Sequence, residues 1–110
     1  MAKSTKSNTE IVQRAMSQAE FTATQKTGLL RGGRSGVHYV SNAINSNAKR
    51  AQQRLALQQR PEVRVTLEVP SGRFSQASRI LPHKGMPGGG MERKTTGNVP
   101  VRIINVRRLR

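Results

Sequence analysis

The sequence predicts an α+β domain with two short helices. Its patterns run strand, helix, strand, helix and then strands, not the strict alternation of a doubly wound sheet. Residues 62–69, EVRVTLEV, alternate without a break, which predicts a half-buried strand with Val63, Val65, Leu67 and Val69 inward and Glu62, Arg64, Thr66 and Glu68 outward. With 110 residues the chain has room for one domain around one modest core. No internal repeat is visible.

Residues 1–9 are polar and carry Lys3 and Lys6 without periodicity, so they read as a disordered lead, and 10–110 as the single domain. From Glu10 to Met16 a first strand is centred on Ile11 and Val12. Ser17 and Glu20 have capping-box spacing, and a helix follows to about Thr27 with Gly28 just past its end. Leu29 and Leu30 lead into RGGRSG, a turn-rich link. VHYVS, residues 37–41, is a second strand by its β-branched and aromatic content. Ile44, Ala48, Ala51 and Leu55 then mark one apolar helix face, flanked by Arg50 and Arg54 facing solvent. Pro61 ends that segment and the alternating strand follows. Pro70-Ser71-Gly72 turns the chain into a long loop over 73–90, anchored by Ile80 and Leu81. The closing NVPVRIINVRRLR has a continuous apolar centre, which predicts a strand buried on both faces.

Charge is the dominant compositional fact. Twenty Lys and Arg face five glutamates and no Asp, for a formal net charge of +15, and Arg supplies fourteen of the cations. Such a field draws in nucleic acid, phosphorylated ligands, anionic lipid or acidic proteins, and Arg suits bidentate contact with phosphate and carboxylate. Only Phe21, Tyr39 and Phe74 are aromatic, too few for a base-stacking platform. Without cysteine there is no disulfide or thiolate chemistry. No apolar run approaches the roughly 20 residues of a membrane span, so no membrane association is expected.

The lack of Asp and Cys excludes a Ser-His-Asp triad, and nothing has metal-ligand spacing, so no metal site is expected. GMPGGGMER, residues 85–93, is neither a P-loop nor a dinucleotide fingerprint opening a helix. Its glycines read equally as a plain loop or as backbone that must approach something closely. Among the glutamates, Glu10 lies at an edge, Glu20 completes a cap, and Glu62 and Glu68 decorate a polar strand face. Glu92 alone follows a glycine-rich, non-periodic segment just before a strand, which makes it the candidate catalytic carboxylate. One acid in a basic pocket suits cleavage of an N-glycosidic bond with a cationic leaving group, because a carboxylate hydrogen-bonded to the neighbouring hydroxyl stabilises the oxocarbenium-like transition state and no general acid is needed.

The blocks QRAMSQAEFTATQKTGLLRGGRSGVHYVSNAINSNAKRAQQRLAL, PEVRVTLEVPSGRFS and GMPGGGMERKTTGNVPVRIINVRRL, in this order, resemble the C-terminal toxin domains of Rhs-type polymorphic toxins in the TreTu family. The resemblance spans about Ile11 to Leu109. It implies a small split-sheet ADP-ribosyltransferase fold, NAD as co-substrate, an acidic protein target such as elongation factor Tu, and a cognate immunity protein as partner. It further implies an effector delivered into the cytoplasm of a target bacterium, monomeric until its immunity protein binds. By position, Arg14 corresponds to the arginine that grips the NAD phosphate or ribose. His38, Tyr39 and Ser41 fall at the nicotinamide ribose, Glu92 is the catalytic acid, and the glycines let the backbone lie close to that ribose. Each has a structural alternative: Arg14 a surface cation, Tyr39 a core aromatic, His38 and Ser41 ordinary strand residues. Gln13 departs from the family pattern, which has an aromatic there, and Ser41-Asn42-Ala43 stands where an Asp is expected. The strong basicity leaves structured RNA open as acceptor. Two other functions are consistent with the residues: a metal-independent RNase using His38 or His83 with Glu92, and a basic RNA-binding module without catalysis.

Overall fold

The computed structural model of the chain describes residues 8–30, 37–41, 44, 47–55, 57 and 60–110, with the side chains of Val37 and His38 outside that description. In chain order the elements are β1 (Thr9–Met16), α1 (Gln18–Thr27), β2 (Leu29–Leu30), β3 (Val37–Val40), α2 (Ala48–Leu55), β4 (Val63–Pro70), β5 (Ser78–Arg79), β6 (Met91–Thr96), β7 (Val99–Pro100) and β8 (Arg102–Arg108). They form three small antiparallel sheets, β1-β4-β8, β2-β7 and β3-β6-β5, as the α+β expectation requires. Among the described residues no helix is long and apolar enough to cross a membrane.

The alternating strand is the centre of the molecule. β4 lies between β1 and β8, and Val63, Val65, Leu67 and Val69 are all buried while the residues between them are half-exposed. Their inner face joins Val12 and Met16 of β1, Phe21 of α1, Leu30, Val40, Phe74 and Val99 in one core. Each such side chain contributes on the order of 2 kcal/mol through removal from water. β1 extends one residue further than predicted. Thr9 pairs with Pro70, and the Asn8 carbonyl accepts from the Ser71 amide, so residues 8 and 9, read as part of the lead, join the β1–β4 pairing.

α1 has the predicted signals. Ser17 Oγ accepts from the Glu20 amide at 3.1 Å, and Gly28 closes the helix in the left-handed conformation at φ 69°. The RGGRSG link lies outside the described residues. α2 starts at Ala48, one turn later than the Ile44 spacing predicted. Asn47 Oδ1 accepts from the Arg50 amide at 3.0 Å and caps the helix there, and Ile44 is buried ahead of it.

Two apolar expectations are overturned. Among the described residues β8 pairs only with β4 and stands at the sheet edge, and Ile104 and Val106 are 44% and 41% exposed. A bulge between Thr66 and Leu67 steps the partner from Asn105 to Ile103, which leaves Ile104 opposite nothing. In the 73–90 loop, Ile80 is buried but Leu81 is 73% exposed, because consecutive side chains of extended backbone point to opposite sides; Phe74 is the second anchor.

The glycine run has a structural task. An α-helix leaves its last carbonyls without intrahelical partners. Here the Gly88 amide donates to Gln53 O and the Gly90 amide to Arg54 O, each at 3.0 Å, so residues 88–90 cap α2 from a distant part of the chain. A Cβ on Gly88, at φ +69°, would sit 2.5 Å from Ile80 O, and one on Gly90 would sit 2.9 Å from Arg54 O. At Gly88 and Gly90 the close backbone approach is to the end of β5 and to α2.

Gly88→Ala is expected to destabilise the fold by about 2 kcal/mol or more, against about 1 kcal/mol for Gly72→Ala, which has positive φ but open space. Urea midpoints at equal m-value measure both. A pH dependence also follows. Glu10 accepts two hydrogen bonds from Arg93, at 2.8 and 3.0 Å. Those bonds hold its carboxyl below the usual range against the opposing effect of burial, helped by the charge of Arg93 and by the Gly72 amide. A depressed folded-state pKa contributes stability above the unfolded value of about 4.3 and loses it as pH falls below that. The stability gap between the parent and Glu10→Gln is therefore expected to be largest near neutral pH and to shrink toward pH ~3, read by urea unfolding at both.

Candidate active site

The two larger sheets are joined by a backbone bridge. The Gln13 amide donates to Ser41 O at 2.7 Å, and the Ser41 amide donates to Gln13 O at 2.8 Å, joining the middle of β1 to the residue after β3. β3 pairs with β6 up to Val40 opposite Arg93, a register that sets Ser41 level with Glu92. At that step the sheet splits, Ser41 turning to Gln13 and Glu92 pairing with Ser78 of β5. The gap is a cavity of about 550 Å³ whose lining includes Arg14, Tyr39, Ser41, His83 and Glu92, with apolar walls from Ile44, Leu55 and Ile80.

Four of the five predicted site residues therefore line one cavity: Arg14, Tyr39, Ser41 and Glu92. His38 pairs through its backbone with Thr95, and its side chain lies outside the described residues. Glu92 is the second residue of β6, so the loop ends just before it and the strand holds its backbone. Tyr39 is 45% exposed, which excludes the core-aromatic alternative, whereas Ser41 is buried.

The carboxylates are distributed unevenly. Glu10 is bound by Arg93, Glu20 by Arg14, and Glu68 by Arg102 and Thr9. Glu62 accepts from the Gln18 amide at the start of α1. Glu20 departs from its predicted role, since its amide satisfies the cap while its carboxylate reaches across to the first strand. Only Glu92 has no ion-pair or hydrogen-bond partner for its side chain among the described residues, and it faces the cavity half-buried.

Arg14 is not a free cation. Its parity along β1 is that of buried Val12 and Met16, which brings it beneath the first turn of α1. Nε and Nη2 lie 2.8 and 2.7 Å from Glu20 Oε2, and Nη1 donates to Tyr39 O at 2.6 Å. Arg14 thus fixes the β3 backbone at the cavity edge, and Glu20 compensates its charge.

Gln13 carries more than the sequence suggested. Its Oε1 accepts from the Ile44 amide at 2.8 Å, and its Nε2 donates to Thr66 Oγ1 at 3.2 Å. An aromatic at this position offers neither bond. His83, considered only for the RNase alternative, reaches the same cavity from the 80–87 loop. No periodic pattern marks either residue; Gln13 is detectable only as a polar side chain in the middle of an otherwise apolar strand centre.

What the fold and site define is an α+β domain with a split sheet whose cleft holds one uncommitted carboxylate in a strongly cationic chain. No family model matches the sequence, and no curated protein matches it. Among solved structures the chain is similar in fold to a chain of the structure of Tne2 in complex with Tni2. The two superpose with a TM-score of 0.69 at 14% identity over 92% of this chain and 90% of that one.

Gln13→Ala is expected to lower stability by about 1–3 kcal/mol, because it leaves the buried-side Ile44 amide without its acceptor. Hydrogen exchange separates this from general loosening: the Ile44 amide loses protection, while the Ser41 amide, bonded to the Gln13 backbone, keeps it.

Proposed function

We propose that the chain is a toxin domain that cleaves the nicotinamide–ribose bond of NAD at Glu92 and transfers ADP-ribose to an acceptor in the cytoplasm of a recipient bacterium. The observation that carries this is the single unpartnered carboxylate of Glu92 in a cavity it shares with Arg14, Tyr39 and Ser41. The leaving group is a pyridinium, so the breaking C–N bond returns its electron pair to the ring and releases neutral nicotinamide without a general acid. The sugar develops oxocarbenium character, and a carboxylate on the adjacent hydroxyl stabilises it. The acceptor's nucleophile then bonds to the anomeric carbon and loses its proton. Tyr39 offers an exposed aromatic face at the edge of the cavity for the flat nicotinamide ring.

The resemblance to TreTu-type domains supports the same reading and adds elongation factor Tu as the acceptor and an immunity protein as the natural inhibitor. The likeness in fold to a chain of the Tne2 complex with Tni2 fits a domain held in check by a dedicated partner. The net charge of +15 favours an acidic acceptor surface by long-range attraction.

A second reading has one observation in its favour. His83 and Glu92 line the same cavity, which places an acid–base pair within one cleft for RNA cleavage. Omitting NAD separates the two, since RNA cleavage needs none.

The parent protein, incubated with labelled NAD and bacterial lysate, is expected to label a macromolecule and release nicotinamide, and Glu92→Gln to lose at least about 100-fold of both while remaining folded by circular dichroism. Protease and nuclease treatment of the labelled product tells a protein acceptor from RNA. Nicotinamide release without label transfer makes water the acceptor. A folded Glu92→Gln protein with parental turnover removes the proposal.

A further inference from the structure

NAD carries two negative charges on a diphosphate that lies beyond the ribose from which nicotinamide leaves. The expected diphosphate ligand, Arg14, already has Nε, Nη1 and Nη2 engaged by Glu20 and the Tyr39 carbonyl, and its charge is offset by the Glu20 carboxylate. Three of its five N–H donors are used, and a dianion leaving water is held best by a cation whose charge no carboxylate already offsets.

Such a cation stands next door. A smaller concavity of about 270 Å³ adjoins the Glu92 cavity and shares Arg14, Ala15 and Leu57 with it. Arg60 lines its far side. Arg60 is exposed and has no hydrogen bond or ion pair among the described residues, and it stands just before buried Pro61, which limits its backbone. It also borders a third concavity with Lys49 and Lys84, whose lining holds no carboxylate; Glu20 does line the 270 Å³ concavity, but its carboxylate is paired with Arg14, not with Arg60.

Resting on the reading of NAD as co-substrate, we infer that Arg60 is the residue that binds the diphosphate, with the ADP half lying across Ala15 and Leu57 toward Arg60 while the nicotinamide ribose occupies the Glu92 cavity. Arg14 becomes a positioning residue that holds the Tyr39 backbone at the cavity edge. A guanidinium matches two phosphoryl oxygens as an ammonium does not, and a flexible unpaired arginine can close on the ligand without breaking an existing pair. The arrangement selects dinucleotides over fragments that end at the ribose.

The test is calorimetric titration with ADP-ribose, which retains the diphosphate and lacks the scissile bond. The intact chain is expected to bind it, Arg60→Ala to weaken binding about tenfold, and Arg60→Lys to restore part of the loss. Arg107→Ala removes the same charge from the exposed edge strand and is expected to leave affinity unchanged. Parental affinity in Arg60→Ala overturns the assignment and leaves the NAD reading intact. An equal loss in Arg107→Ala also overturns it, because the effect is then that of the overall field. Failure of the parent to bind ADP-ribose overturns the assignment together with the NAD reading, and no variant is needed to see it.

Discussion

The mutual pair of backbone hydrogen bonds between Gln13 and Ser41 is the constraint on which the rest of the site depends. It is the backbone bridge between the β1-β4-β8 sheet and the β3-β6-β5 sheet, beside the side-chain tie of Arg93 to Glu10. If β3 continued along β6, Ser41 would occupy the ladder position facing Glu92 and there would be no cleft. Because Ser41 turns to Gln13 instead, the sheet opens beside Glu92. The Gln13 side chain reinforces the stitch by binding Ile44 on one side and Thr66 of the central strand on the other. Arg14 adds a third tie through Tyr39 O. The cavity wall is therefore held by backbone amides and two adjacent side chains of one strand, an arrangement well suited to keeping reactive groups at fixed separation.

The distribution of charge complements this geometry. A chain with four cations for every acid can satisfy its acids easily, and four of the five glutamates are taken up by arginine, hydroxyl or amide donors. An acid left without partners in such a field is conspicuous. Glu92 is kept apart by being carried on β6, facing the cleft, while its neighbour Arg93 points the other way and binds Glu10. Strand alternation thus separates an uncommitted carboxylate from a paired guanidinium one residue later.

The glycine-rich run serves the site indirectly. Its amides complete the C-terminal end of α2, and that contact fixes where β6 begins and so where Glu92 stands. Leu55, from the same helix end, and Ile80, whose carbonyl accepts from Gly89, supply apolar walls of the cavity. One packing arrangement therefore ties the α2 terminus to the β5–β6 pair that carries Glu92.

Local chemistry in the sequence determined the α+β class, α1 with both of its caps, the alternation of β4, and the choice of Glu92 among five glutamates, because periodicity, capping and composition are properties of adjacent residues. Arg14, Tyr39 and Ser41 were also legible, through the resemblance. What only the tertiary structure decided involves partners distant along the chain. Glu20 neutralises Arg14 because α1 folds back over β1. β8 is an edge because no described strand pairs beyond it, although its apolar centre reads like a buried strand. Gly88 and Gly90 meet α2 because its open carbonyls lie across from them. Gln13 became the hinge between two sheets because Ile44 and Thr66 are brought to it from opposite directions. A residue's own pattern carries its secondary structure, but whether its charge or hydrogen-bonding capacity remains free for chemistry depends on which remote donors and acceptors the fold brings within about 3 Å.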